Sequence, residues 1–172
     1  IHGSFQTFTK LLRKLKLQKD DQLFILGDMI NRAPYSIYMI EKIAELLVEG
    51  YSVFPSRGNH EQLFLDFAKT DNHKLISLAE RQYSSHLLEN LELPKPIYKF
   101  FSLLPYFYEL EDYYLVHAGF NTDVKDPFSE WRDMLWIRTM HYDKEKLNGK
   151  KVVHGHVPTT LASIKKDVAT HK

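Results

Sequence analysis

Four short apolar runs in this sequence each lead into a cluster of glycine with ionisable or amide residues, and that recurrence constrains the fold most. Leu23-Phe24-Ile25-Leu26 runs into Gly27-Asp28, and Tyr51-Ser52-Val53-Phe54 leads to Arg57-Gly58-Asn59-His60-Glu61. Tyr113 to Val116 is followed by His117-Ala118-Gly119, and Lys151-Val152-Val153 ends in His154-Gly155-His156. Runs this short, bounded by turn residues, read as strands. The first is apolar throughout and reads as a strand buried on both faces. In open α/β sheets, ligands bind beyond the carboxyl ends of the strands, so four such ends can converge on one site.

Helical repeats alternate with these strands. Phe5, Phe8, Leu12 and Leu15 recur at helical spacing, predicting an amphipathic helix that ends near Leu17. Ile37, Ile40, Ala44 and Leu47 predict a second helix, stopped by Gly50. From Gln62 to about Leu104 the periodicity is mostly helical, with breaks expected at Pro94 and Pro96. Tyr106–Leu110 and Tyr113–Val116 read as a hairpin around Glu111-Asp112.

Composition narrows the chemistry. At 172 residues the chain fits one domain able to bury a real core. The 10 tyrosines and 11 phenylalanines suit a packed interior rather than a disordered tail. Cysteine is absent, which excludes disulfides, thiolate zinc sites and cysteine nucleophiles. A net charge of +1 without a dense Lys/Arg block argues against a nucleic-acid or anionic-membrane partner. With no apolar run long enough to span a bilayer and no signal peptide in Ile1-His2-Gly3-Ser4, the expected location is cytoplasmic.

The strand-end residues offer carboxylate, amide and imidazole donors, a set suited to Mn, Zn, Fe or Mg rather than to a soft metal. A carboxylate such as Asp28 can bridge two cations, while Asn59 and two imidazoles complete one of them. Two such ions can bind a phosphoryl oxygen and activate a water for in-line attack. Arginine is the natural planar clamp for the other phosphate oxygens, and Arg32 and Arg138 are the candidates.

Taken together, His2-Gly3, Gly27-Asp28-Met29-Ile30-Asn31-Arg32, Arg57-Gly58-Asn59-His60-Glu61, His117-Ala118-Gly119 and Gly155-His156 resemble the calcineurin-like metallophosphoesterases. Within that family they are most similar to the branch of phosphoprotein phosphatases and bacterial diadenosine tetraphosphatases. The resemblance implies an α/β (α+β) fold, a β-sandwich flanked by helices, with a dimetal site at the loop end of the strands. It implies two divalent ions, manganese first, with iron, zinc or magnesium as alternatives. His2 would ligate the first ion and Asp28 would bridge both, while Asn59, His117 and His156 would complete the second. His60 would protonate the leaving-group oxygen rather than bind metal. Arg32, Arg138 and Asn59 would hold phosphate; the resemblance assigns His154 no role, and it reads as a supporting or structural residue.

Three departures from the family pattern matter. The Gly-Asp-x-His-Gly motif is entered here only at its histidine, so the expected organisation is one domain over 1–172 that lacks its first strand, with its last strands also in question. Asn31 stands where the family usually has an aspartate that supports the general-acid histidine. It cannot stabilise an imidazolium by charge, which predicts reduced activity or a shifted pH optimum. Ala33 replaces a glycine, tolerable unless the turn needs a positive φ.

Each residue also has a structural explanation. Gly-Asp and Gly-Asn are turn pairs, His117 could be a core histidine, His2 could be solvated, and Glu61 favours a helix N-terminus. Tyr106, Phe107 and Tyr108 read as core before pocket, and His73, His86, His141 and His171 as surface. Independent turns give no reason for the whole set to recur after successive strands. The expected activity is metal-dependent hydrolysis of phosphate esters by a metal-bound hydroxide, with phosphorylated protein or a small phosphate ester as substrate. A serine/threonine phosphoprotein phosphatase comes first, then a bis(5'-nucleosyl)-tetraphosphatase. A catalytically weakened binding module is the alternative of another class.

Overall fold

The computed structural model describes residues 1–169, so the expectation for His171 lies outside the described residues. The chain is mixed α/β and divides into two compact units, Ile1–Leu104 and Pro105–Lys172.

The first unit opens with helix α1 (Phe5–Leu15), followed by strand β1 (Gln22–Ile25), helix α2 (Ser36–Val48) and strand β2 (Ser52–Pro55). Helices α3 (Asn59–Thr70), α4 (Asn72–Arg81) and α5 (Lys95–Leu103) complete it. Strands β1 and β2 pair in parallel, Leu23 opposite Val53 and Ile25 opposite Pro55. A helical crossover is what parallel neighbours require, and α2 supplies it.

Side chains alternate across this pair. Ile25 and Val53 are buried in the helical core, while Phe24 and Phe54 stack at 4.9 Å and stay half-buried. The expectation that β1 is buried on both faces is therefore corrected: only one face is fully buried.

The core stripe of α2 is also shifted. Met39, Ile43 and Leu46 are buried, whereas Ala44 and Leu47 are exposed. Apolar residues run almost all round this helix, so periodicity alone admits several stripes, and packing against Phe8, Leu12 and the sheet selects one. Gly50 does end the helix region, at φ +82°. Pro94 and Pro96 begin α5 instead of breaking it, because a proline in the first turn gives up an N–H that would have no helical partner.

The second unit contains β3 (Phe107–Glu109), β4 (Tyr113–Val116), the short helix α6 (Trp131–Trp136), β5 (Lys151–Val153) and α7 (Leu161–Ala169). β3 and β4 form the expected antiparallel pair, and β5 lies parallel to β4 on its other side. Phe107, Tyr114, Phe120 and Phe128 meet ring to ring at 5.0 to 6.0 Å and form most of this unit's core. Phe107 is thus a core residue, and Tyr106 stacks on Trp131 at 5.6 Å. No helix among the described residues is long and apolar enough to cross a membrane.

These two sheets place the candidate residues. Because β1 and β2 are parallel, the turns after both leave from the same end, and the same holds for β4 and β5. Asp28 and Asn59 share one sheet end; His117 and His156 share the other.

Candidate metal centre

In the first unit, Asp28, His2 and His60 converge. Asp28 Oδ2 lies 3.7 Å from His2 Nε2 and 3.9 Å from His60 Nε2, and the two imidazoles meet edge to face at 5.0 Å. Donors bonded to one ion at about 2.1 Å each stand roughly 3–4 Å apart. The three donor atoms fit such an ion, all lying within 4.8 Å of one another. His2 is held in the required orientation, since its Nδ1 is 3.1 Å from the Ile30 carbonyl, the acceptor for an Nδ1–H. That leaves Nε2 bare toward Asp28, the arrangement that metal-binding histidines use.

In the second unit, His117 Nε2 and His156 Nδ1 face each other at 3.1 Å, the separation of two neighbouring ligands on one ion. His117 is 2% exposed, and its carbonyl accepts the N–H of Gly155, which ties the two strand ends together. Asn59 is the first residue of α3 and is buried.

Half of the described non-glycine residues with positive φ are candidate-site residues. His2, Asp28, Asn31, Arg32 and His156 all have φ between 51° and 73°, the left-handed region that side-chained residues avoid. Ala33 is not among the positive-φ residues, so the loss of the family's glycine there costs nothing in backbone strain. Glycine is required elsewhere. A Cβ on Gly58 would lie 2.3 Å from the Asp28 nitrogen, and one on Gly27 2.4 Å from the Gly58 nitrogen. The turns after β1 and β2 cross too closely for any side chain at either position.

Asp28 is 6% exposed. Burial pushes its carboxyl up from 3.8 to about 6, against the opposing pull of the His60 backbone N–H and of Arg32. In the metal-free fold the neutral acid is accommodated fully below about pH 4, and that contribution is lost as pH rises through about 6. The loss amounts to about 3 kcal/mol. A divalent cation compensates the buried charge and reverses the trend. The gain in Tm on adding Mn²⁺ should therefore be small at about pH 5 and grow toward about pH 8. Paired melts of stripped and Mn²⁺-saturated protein across that range check this. A flat gain would place the ion elsewhere than Asp28.

His60 is the residue most affected by this chain's departure from the family pattern. The Asn31 amide nitrogen lies 2.7 Å from His60 Nδ1, while Asn31 Oδ1 is buried with no hydrogen-bond partner among the described residues. With the amide donating, His60 carries its proton on Nε2, the nitrogen that faces Asp28. Turning the amide over would let its carbonyl accept from Nδ1–H and free Nε2, at the cost of orphaning the amide N–H instead.

Sequence reasoning did not foresee the role of Glu61. It is fully buried, and its carboxylate accepts backbone N–H groups from Asp28, Met29, Ile30 and Gly58 at 2.8 to 3.3 Å. Arg57 was also missed. It donates to Gln62 Oε1 and to the Ser102 carbonyl in the last turn of α5, holding the β2–α3 turn against that helix. Only the spacing Gly58-x-x-Glu61, a capping-box position, hinted at either.

Arg32 and Arg138 are exposed, and neither is held by a carboxylate among the described residues. His154 is exposed and borders a cavity of about 490 Å³ with His141 and Tyr142. His73, His86 and His141 are on the surface, as expected.

The profile of the calcineurin-like phosphoesterases matches residues 1–170. The chain belongs to that family. A metallophosphoesterase family implies divalent metal ions, and the donor clusters fit them. Serine/threonine-protein phosphatase 1 of Salmonella typhimurium is 23% identical over 153 residues, covering 88% of this chain and 68% of its own length. The asymmetrical bis(5'-nucleosyl)-tetraphosphatase PrpE of Bacillus cereus is 30% identical over 139 residues, covering 72% and 56% respectively. A protein serine/threonine phosphatase structure from Saccharomyces cerevisiae shares the fold with a TM-score of 0.62 at 19% identity, covering 92% of this chain and 59% of that one. This metallophosphoesterase chain thus spans little more than half the length of the tetraphosphatase and of the yeast phosphatase.

Proposed function

We propose that the chain hydrolyses phosphate esters at a dimetal centre, with phosphoserine or phosphothreonine in protein as the first substrate class. The convergence of His2, Asp28 and His60 at one sheet end carries this reading. The ligand roles follow the motif order of the family: His2 and Asp28 for the first ion, with Asp28, Asn59, His117 and His156 for the second. Divalent ions there, manganese first, would supply a Lewis acid and an activated water.

The remaining work belongs to side chains of the chain. Asp28, with its buried carboxylate, would be the anionic residue that holds the cations. Arg32 and Arg138 offer exposed guanidinium forks to the phosphate oxygens. His60 presents Nε2 to the leaving-group oxygen, which must gain a proton as its bond to phosphorus breaks. His60 also lies within ligand distance of His2 and Asp28, so the two roles need separating. Metal content of a His60→Gln variant does so: two ions retained with kcat lowered about 10²–10⁴-fold fits the acid role, and a lost ion fits a ligand.

The test of the whole reading is turnover of p-nitrophenyl phosphate by the Mn²⁺-loaded protein, followed by kcat/KM on a phosphopeptide and on diadenosine tetraphosphate. A higher value on the dinucleotide would move the assignment to the tetraphosphatase reading. No turnover by a folded, metal-loaded chain would reject it.

One observation favours a second reading, a weakened phosphatase that mainly binds. The Asn31 amide nitrogen lies 2.7 Å from His60 Nδ1, a position where the amide offers an imidazolium no charge. An Asn31→Asp variant restores a charge at that position, and kcat should rise about tenfold or more, with the alkaline limb of the pH profile moving up. Unchanged kcat would show that His60 is not the proton donor.

A further inference from the structure

Three successive backbone N–H groups, those of Asp28, Met29 and Ile30, converge with the N–H of Gly58 at the start of α3. Convergent amides beside a helix N-terminus are how proteins hold a phosphate or a free carboxylate. Here the recess is filled from within. Glu61 Oε2 accepts from Asp28 and Gly58 at 2.9 Å each, and Oε1 from Met29 at 2.8 Å and Ile30 at 3.3 Å. The carboxylate joins the turn after β1 to the turn after β2, and each supplies a candidate ligand. The absence of a side chain at Gly58 is what admits it, since a Cβ there would stand 2.8 Å from Glu61 Oε2.

We propose that Glu61 is a positioning residue of the metal centre, an internal anion in a backbone nest that sets the place of Asp28 and can be replaced by a small free carboxylate. It touches neither substrate nor ion. It acts through Asp28, whose N–H it accepts and whose left-handed backbone, φ 51°, it holds in place. Glutamine cannot substitute. Its amide nitrogen would turn N–H toward N–H in a recess where all four protein groups are donors.

This inference rests on the metal-centre reading, and one experiment separates the two. Mn²⁺ binding to metal-stripped protein is measured by calorimetry for wild type, Glu61→Ala and Glu61→Gln. Each is titrated with about 100 mM sodium formate or with sodium chloride at the same ionic strength, and Tm is read alongside. Wild type should bind Mn²⁺ with no response to formate. Glu61→Ala should bind about 10–100-fold more weakly, as when a residue supporting a metal ligand is lost, and formate but not chloride should restore affinity. Glu61→Gln should be weakened to a similar degree and not rescued.

Equal Mn²⁺ affinity in wild type and Glu61→Ala overturns the inference alone. So does formate that raises Tm without restoring affinity. If the alanine variant does not fold with or without formate, Glu61→Gln decides: wild-type affinity there overturns the inference, and a tenfold or larger loss supports it. A wild type that binds no Mn²⁺ overturns the metal-centre reading and this inference with it.

Discussion

Replacing Asp28 with asparagine is expected to abolish Mn²⁺ binding at the His2–Asp28–His60 cluster and to lower kcat/KM on p-nitrophenyl phosphate at least about a thousandfold. Asp28 is the one anionic donor of that cluster, and its Oδ2 stands between the two imidazole Nε2 atoms. Asparagine keeps the size and keeps an oxygen for the His60 backbone N–H, which Asp28 Oδ1 accepts at 3.2 Å. The turn should therefore survive. Because burial already opposes ionisation of Asp28, the metal-free variant should melt no lower than metal-free wild type at about pH 7. Activity, metal content and Tm read together separate a lost ligand from a lost fold. A variant retaining a tenth or more of wild-type kcat/KM would rule out Asp28 as the bridging ligand.

The second large effect is expected at Gly58. An alanine there puts Cβ at 2.3 Å from the Asp28 nitrogen, 2.4 Å from Asp28 Oδ1 and 2.8 Å from Glu61 Oε2. The first of these atoms is backbone and cannot swing aside, so the two turns must part and the four bonds to Glu61 must loosen. A loss on the order of 3–5 kcal/mol follows, the range of severe packing defects. Gly50→Ala is the matched control. Gly50 has a positive φ, at +82°, where Gly58 has −106°, and nothing lies within 4 Å of its Cβ position. Its replacement should cost only the left-handed backbone penalty, about 1–2 kcal/mol. Urea denaturation of the three proteins measures the difference. Similar losses at both glycines would mean that the crossing of the turns is not the controlling feature.

The strand ends were legible because short apolar runs followed by glycine and polar residues are a local signal. The parallel β1–β2 and β4–β5 pairs bring those ends together two by two. Helix α2 shows where such reading stops. With apolar residues on nearly every side, the stripe Met39–Ile43–Leu46 is selected by neighbours far along the chain, and no local period reveals it. Pro94 and Pro96 were read as breaks because their effect depends on position within a helix, and here they fall at its start. Glu61 is the clearest case. Next to His60 it looked like a residue favouring a helix N-terminus, yet three of its four partners lie more than 30 residues earlier. Contacts of that kind are a property of the crossing turns rather than of the motif. For Asn31, the sequence told that a charge was gone, but not that the amide nitrogen would face His60.

The left-handed backbone at His2, Asp28, Asn31, Arg32 and His156 bears on how this chain is maintained over generations. Each such residue costs about 1 kcal/mol or more relative to a relaxed turn or a glycine. A domain kept only as a scaffold gains from every substitution that relieves such strain, and glycine is a single, small change. Lys16, Tyr83, Asn90, Leu91 and Asn148 carry the same strain elsewhere, so strain alone does not mark the site. At the five positions it is paired with a side chain singled out for the site, and relief by glycine would remove that side chain.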